Sequence, residues 1–228
     1  MSGQERELTD MLRAATNLRT TTRSHCRPLT LVEMTIILSV IAILTAVLVP
    51  TVMSHITQAR ILRARQDVRT LSEAIVRQYQ DMGFVPQTRD SRNGGPGSSA
   101  IHLLVSPGNT PACSPDSHDT TDWQTTDADY LENHLMNNVP GYRLKAIGGT
   151  GWNGPYLATS PESDPWGNRY MINIEYFDST TGALGADGAV KLAVFVISAG
   201  QDGTIDTAYS QPLTDVNLRG DDIAHRLQ

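Results

Sequence analysis

Residues 29–50 read LTLVEMTIILSVIAILTAVLVP, a run of twenty-two positions, almost all apolar, with one charge, Glu33, near its beginning. As a helix this run extends roughly 33 Å, enough to cross a hydrocarbon core of about 30 Å. A carboxylate inside such a run costs on the order of 2.5–3.5 kcal/mol at mid-membrane and less near an end. Glu33 therefore needs a partner, and the obvious one is a cation at the same depth on another copy of the chain. The run is too long for the apolar region of a secretory signal peptide, and no small-x-small cleavage pattern accompanies it. Arg19, Arg23 and Arg27 precede it with no acid among them, which favours a cytoplasmic N-terminus, while Arg60, Arg63 and Arg65 on the far side weaken that asymmetry.

Beyond Pro50 the pattern changes from uniformly apolar to amphipathic. Ala64, Val68, Leu71, Ile75, Tyr79 and Met82 recur at helical spacing, with Arg60, Arg63, Asp67, Arg69, Glu73, Arg77 and Asp81 on the other faces. The spacing predicts one helix over 30–82, ended by Gly83 and barred from continuing by Pro86. Pro50 removes one backbone hydrogen bond and invites a kink or a melted turn. The first half of this helix belongs in a membrane or among other apolar helices, and the second half against a globular domain.

Charge and cysteine usage narrow the class. The formal net charge is −6, of which residues 1–28 contribute +2 (five Arg against Glu5, Glu7 and Asp10), leaving −8 on the rest. That balance argues against a nucleic-acid-binding body. Cys26 and Cys113 lie on opposite sides of the apolar run, so a disulfide between them is not expected if the run spans a membrane. Cys113 with His118 and His102 lacks the spacing of a zinc frame and reads as a free thiol in a polar loop. No G-x-S-x-G, H-E-x-x-H, phosphate-binding loop or paired-cysteine motif marks an enzyme.

The remainder divides into loops and strands. Residues 88–99 are a Gly/Ser-rich connector, and Ala100–Ser106 is a short apolar segment expected to make one or two helical turns. Residues 107–126 are polar, Pro-spaced and acidic, and are expected to be a surface excursion. A short helix is expected over Asp127–Asn137, with Tyr130, Leu131 and Leu135 as its apolar face. Asp116, Asp119, Asp122, Asp127 and Asp129 read as a solvated acidic loop without a calcium-loop frame. Asp164-Pro165-Trp166-Gly167 has turn chemistry. Residues 169–177 and 190–197 alternate as strands, joined by a long hairpin tip, and would lay one apolar face on the amphipathic half of the helix. After them, Asp202-Gly203 and Asp221-Asp222 bracket a loop. Turn chemistry accounts for Asp202-Gly203 by itself, and the two acidic clusters also offer the oxygen donors that a hard cation takes.

Leu29-Thr30-Leu31-Val32-Glu33 followed by an apolar helix resembles the N-terminal signature of type IV pilins and pseudopilins, with Pro50 where that superfamily commonly has a helix-breaking proline. Gly154-Pro155-Tyr156-Leu157, Asp164-Pro165-Trp166-Gly167-Asn168, Ser198-x-Gly-x-Asp202-Gly203 and Asp221-Asp222-Ile223 resemble the major pseudopilin of type II secretion, as does Ala100–Pro107, which is similar to that family's short second helix. The resemblance covers roughly residues 27–107 and 150–223. It implies an α+β, pilin-like fold, a long N-terminal helix packed on a small antiparallel β-sheet. It also implies a leader at 1–28, a transmembrane and polymerisation helix at 29–50, and a periplasmic domain at 51–228 that includes the amphipathic helix 51–82. A prepilin peptidase would cut between Pro28 and Leu29 and methylate the new amine. The freed amine of an incoming Leu29 would neutralise Glu33 of the preceding subunit, with Thr30 and Pro50 part of the same assembly segment. Calcium would be held by Asp202 and Asp221 with backbone oxygens near Ala199 and Thr204.

The implied role is structural: an inner-membrane, single-pass subunit, in membrane lipid before assembly, that polymerises with its own copies and other pseudopilins on an inner-membrane assembly platform to drive protein export. Leu31, Val32, Ile36, Val40, Ile43 and Val47 would make most polymer contacts. Alternatives are a subunit of an extended surface pilus, a minor pilin, or a bitopic anchored binding domain using residues 108–140 of the insertion at 108–149. The sequence departs from the family at Pro28, where glycine is the rule, in its long leader, in that insertion, and in the long span from Asp202 to Asp221, within which Asp206 or Asp215 are substitute ligands.

Overall fold

The helix expected over 30–82 is present as α1, Leu31–Met82, in a computed structural model that describes residues 30–83, 101–114, 123, 125, 128–177 and 192–227. Pro50 lies inside α1 and the backbone stays helical through it, so the melted turn that proline invites does not form. At the C-terminal end Gly83 takes φ +78° and donates its N–H to the Tyr79 carbonyl at 2.7 Å, the left-handed cap that glycine adopts without strain. The chain divides into two compact units, residues 1–52 and 53–228. In the first, the apolar stretch of α1 is exposed along its whole length.

In the second unit the amphipathic stripe behaves as its spacing requires. Ala64, Val68, Leu71, Ile75 and Met82 are buried, joined by Ser72, Ala74 and Gln78, while Tyr79 stays partly exposed and packs its ring 5.0 Å from that of Phe177. This stripe lies on a five-stranded sheet of order β3-β1-β4-β5-β7, made of β1 (Leu103–Val105), β3 (Ala128–Tyr130), β4 (Met171–Asn173), β5 (Phe195–Ser198) and β7 (Ile223–Arg226). Every pairing is antiparallel except that of β1 with β3. The architecture is thus a long N-terminal helix on a small, mostly antiparallel sheet. A second, two-stranded sheet pairs β2 (Ala112–Cys113) with β6 (Thr204–Ile205).

Several expectations are corrected. Within the apolar segment 100–106, Leu103–Val105 form strand β1, an interior strand of the sheet between β3 and β4, not helical turns. Leu104 points into the cluster under α1, and Leu103 and Val105 into a cluster on the opposite face. A strand buried on both faces is a continuous apolar run, which periodicity cannot separate from a short helix. The strand expected over 169–177 ends at Asn173, and Ile174–Phe177 turns into a 3-10 helix. Asn173 is fully buried and stands in for lost ladder bonds: its Nδ2 donates to the carbonyls of Ala193 and Tyr209, and its Oδ1 accepts the Phe195 N–H. The helix expected over 127–137 begins as strand β3 and becomes helical only at α2, Leu131–Leu135, with Tyr130 partly exposed. The His134 carbonyl on α2 accepts from Gln78 of α1 and from Trp152, both at 3.1 Å, which fixes α2 against the long helix.

The largest correction concerns the face of the sheet away from α1. The sequence predicts a surface excursion over 107–126 and a loop between Asp202-Gly203 and Asp221-Asp222. Instead β2 and β6 pair, and Trp123, Ile205 and Tyr209 pack on Leu103, Met171, Phe195 and Ile197. Trp123 is 1% exposed, donates Nε1–H to the Thr207 carbonyl at 3.0 Å, and meets Tyr209 edge to face with centroids 5.1 Å apart. The acidic residues 116, 119, 122 and 127 lie outside the described residues, as do the connector 88–99 and the hairpin tip 178–191.

Removing Trp123 tests that second cluster. Trp123→Ala should cost about 3–5 kcal/mol, the range for deleting a buried large aromatic, whereas Tyr79→Ala at the partly exposed edge of α1 should cost clearly less. Denaturant melts of both variants check this.

Candidate functional site

Two regions carry the residues singled out by sequence. The first is the start of α1. Thr30 precedes the helix, and its Oγ1 accepts the Glu33 N–H at 3.2 Å. Thr30 is therefore the N-cap and Glu33 the third helical residue, and the threonine hydroxyl satisfies one amide that the helix start would otherwise leave orphaned. The cap is legible in the sequence, and it assigns Thr30 a local duty that the charge argument alone does not supply. As an acid in the first turn, Glu33 also sits at the favourable end of the helix dipole. Beyond it, Leu31, Ile36, Val40, Ile43 and Val47 are all at least half exposed. The most apolar window of α1 has a mean hydropathy of 2.7 and none of it is buried. Among the described residues, one helix is thus long and apolar enough to cross a membrane. Pro28 and Leu29, the proposed cleavage pair, lie outside the described residues, as does Cys26.

The second region is the stretch from β5 to β7. Asp164, 3% exposed, organises its entrance: Oδ1 accepts the N–H groups of Trp166 and Asn168 at 3.0 and 2.7 Å, and Oδ2 accepts the Ser198 hydroxyl at 2.7 Å. The Asp-Pro-Trp-Gly-Asn turn is thereby tied to the end of β5, and a Cβ on Gly203 would lie 3.2 Å from the Asn168 amide. Ala199 is buried in the second cluster. Asp202 Oδ1 accepts the Thr204 N–H at 2.8 Å, and Asp221 Oδ2 accepts the N–H groups of Gln201 at 2.6 Å and Asp202 at 3.2 Å. The fold thus brings Asp202 and Asp221 into one hydrogen-bonded turn with Ala199 and Thr204 on either side. Gly200, at φ +67°, permits it, because a Cβ there would collide with the Asp221 carbonyl and carboxylate.

The groups this turn could offer a cation are carboxylate and carbonyl oxygens, the ligands a hard cation such as calcium takes. Among the described residues, no three His, Cys, Asp or Glu side chains are arranged to hold a metal ion together, so the turn offers two carboxylates and otherwise main-chain carbonyls. Of the substitute ligands, Asp215 Oδ1 is turned to the Asn217 N–H, and the Asp206 carboxylate lies against Gly220, at φ +59°, where a Cβ could not fit.

Sequence reasoning gave Asp222 no role distinct from Asp221. Asp222 is 8% exposed, and its Oδ2 accepts the Asp206 and Thr207 N–H groups at 3.0 and 2.7 Å, while Oδ1 is buried with no hydrogen-bond partner. Burial pushes its carboxyl up to about 6, against the hydrogen bonds from residues 206 and 207, and the nearby Asp206 charge adds to the rise. Cys113, a half-buried free thiol, is likewise pushed up, first by burial and then by the Asp222 charge. Only the alternation of strand β7 could have flagged Asp222, since it stands one residue before the strand begins.

No protein-family model matches this chain, and no curated protein or solved structure matches it.

Asp222 gives a pH prediction. Its folded carboxyl lies above the ordinary 3.8, so the folded state holds a proton that the unfolded chain has released. Stability from this group is full below about pH 4 and is lost as pH rises through about 6, at roughly 1.4 kcal/mol per pH unit at most. Melts between pH 4 and 7 should show this fall in wild type and a flatter profile in Asp222→Asn.

Proposed function

We propose that this chain is a structural subunit of a secretion-type pseudopilus, inserted in the inner membrane with residues 51–228 in the periplasm, which polymerises through its N-terminal helix. The reading rests on one observation above the others: α1 exposes an apolar, membrane-length stretch that carries a single carboxylate, Glu33, while the same helix continues into a half clamped on a sheet. In lipid that stretch is solvated by acyl chains. In a filament the same surface packs on neighbouring copies, and the amine of Leu29 on one subunit meets Glu33 of another. Two charges that are each costly in an apolar bundle become tolerable together. Cleavage between Pro28 and Leu29 by a prepilin peptidase creates that amine. The subunit's partners are its own copies, other pseudopilins and a membrane assembly platform, and its chemistry is assembly without turnover.

The proposal extends to calcium at the turn of Asp202 and Asp221, with carbonyl oxygens of Ala199 and Thr204. The all-oxygen donor set and the close approach allowed by Gly200 support it. Bound there, the ion would supply a cross-link between the turn after β5 and the entry to β7.

A second reading, a permanently anchored domain that does not polymerise, is favoured by Pro28, whose fixed φ and missing amide obstruct a peptidase. The two readings separate on the intact mass and N-terminal sequence of the protein extracted from its membranes. A mature chain beginning at methylated Leu29 is expected; a chain retaining residues 1–28 supports the anchor instead. Glu33→Ala should insert normally yet fail to form filaments, and normal filaments from that variant would remove the charge-pair argument. For calcium, wild type should lose thermal stability on chelation, and Asp202→Ala should show no such shift. A wild type indifferent to chelator ends the metal proposal.

A further inference from the structure

Strand β7 is the last of its sheet and, among the described elements, is hydrogen-bonded to β5 alone. Leu227 donates its N–H inward to the Val194 carbonyl at 2.8 Å. In an antiparallel pair inward and outward residues alternate, so the main-chain groups of Arg226 and Ala224 point off the sheet. A row of donors and acceptors of this kind is a template for another strand.

Beside this edge runs a groove of about 570 Å³ between α1 and β7, lined by Leu62, Arg65, Arg69, Leu218, Ile223 and His225. A second groove of about 340 Å³ shares His225 and continues past Val76, Arg77 and Leu227. The helix wall from residue 62 to residue 80 is about 27 Å long, room for about eight residues of extended chain. Its charge is opposite to that of the molecule. On a chain of net charge −6, the grooves are lined by Arg65, Arg69, Arg77 and His225, against Glu73 and the buried Asp222. Arg77 shares Glu73 at 3.9 Å, whereas Arg65 and Arg69 are exposed and make no ion pair among the described residues. Leu62 and Leu218 add exposed apolar surface at the same place.

We propose that the β7 edge and its groove bind an extended acidic segment of a partner polypeptide, which adds to the sheet as a further strand. The guest's main chain pairs with Ala224 and Arg226. Because side chains alternate along a strand, every second guest residue faces α1, where carboxylates meet Arg65 and Arg69. The proposal does not depend on whether the chain polymerises, since the whole surface belongs to residues 53–228.

The test uses the full-length chain in zwitterionic detergent micelles and a fluorescein-labelled decapeptide with Glu at alternate positions and Thr between, read by anisotropy at low salt. Saturable binding is expected, weakened at least tenfold by Arg65→Glu with Arg69→Glu and unchanged by Arg60→Glu, which lies off the groove. The same peptide with its β7-facing amides N-methylated should bind at least tenfold more weakly, as should its Lys-for-Glu counterpart. Coincident melts of wild type and the double variant show that the fold is retained. Equal binding of the N-methylated peptide would reduce the surface to a diffuse basic patch and overturn strand addition. Binding that survives the double charge reversal would place the site elsewhere. Absence of binding, or self-association of the chain that depends on Arg65 and Arg69 and excludes the peptide, would overturn the acidic-partner assignment.

Discussion

A sheet of three- and four-residue strands cannot leave an apolar face open to water, and here both faces are apolar. Val194 and Val196 point one way and Phe195 and Ile197 the other. At about 25 cal/mol per Å² of apolar surface removed from water, neither side is dispensable in a domain with so few long strands. The C-terminal half of α1 covers one face. The other is covered by Trp123, Ile205, Ala199 and Tyr209, gathered from loop-like sequence. Most of the remaining architecture serves to hold those covers in place: Asn173 joins β4 to residues 193 and 209, and Asp164 joins the turn at 164–168 to Ser198.

The same economy explains the turn between β5 and β7. The chain must leave β5, fold a cover over the second face, and return as an edge strand. Asp221 and Asp222 stand at the return and spend their oxygens on amides of 201, 202, 206 and 207. Asp221 does this near the surface, where a carboxylate is solvated. Asp222 does it in the interior with one oxygen unpartnered, and its raised pKa is the consequence. Two adjacent aspartates thus have opposite electrostatic circumstances, set by which side of the strand entry each occupies.

The two halves of α1 obey different solvents. Residues 31–52 expose valine, isoleucine and leucine on every side, a surface suited to lipid or to other such helices and to little else. Residues 64–82 bury one stripe and leave arginines and acids outside. A helix can change solvent midway because its hydrogen bonds are internal, and Pro50 interrupts just one of them.

What the sequence settled by itself is the part governed by local period and transfer energy. The apolar run, the stripe from Ala64 to Met82, the glycine stop at 83 and the turn at 164–167 are each decided within a few residues of themselves, and each is found where the pattern puts it. The antiparallel pair of β4 with β5 was legible for the same reason. The strand Leu103–Val105 was not, because a run buried on both faces has no period to read, and only its neighbours β3 and β4 make it a strand. Trp123 was misplaced because polar neighbours masked one aromatic that the far face of the sheet required. The burial of Asp222 beside an exposed Asp221, and the basic groove along β7, arise from residues far apart in sequence meeting in space, so tertiary structure alone decided them.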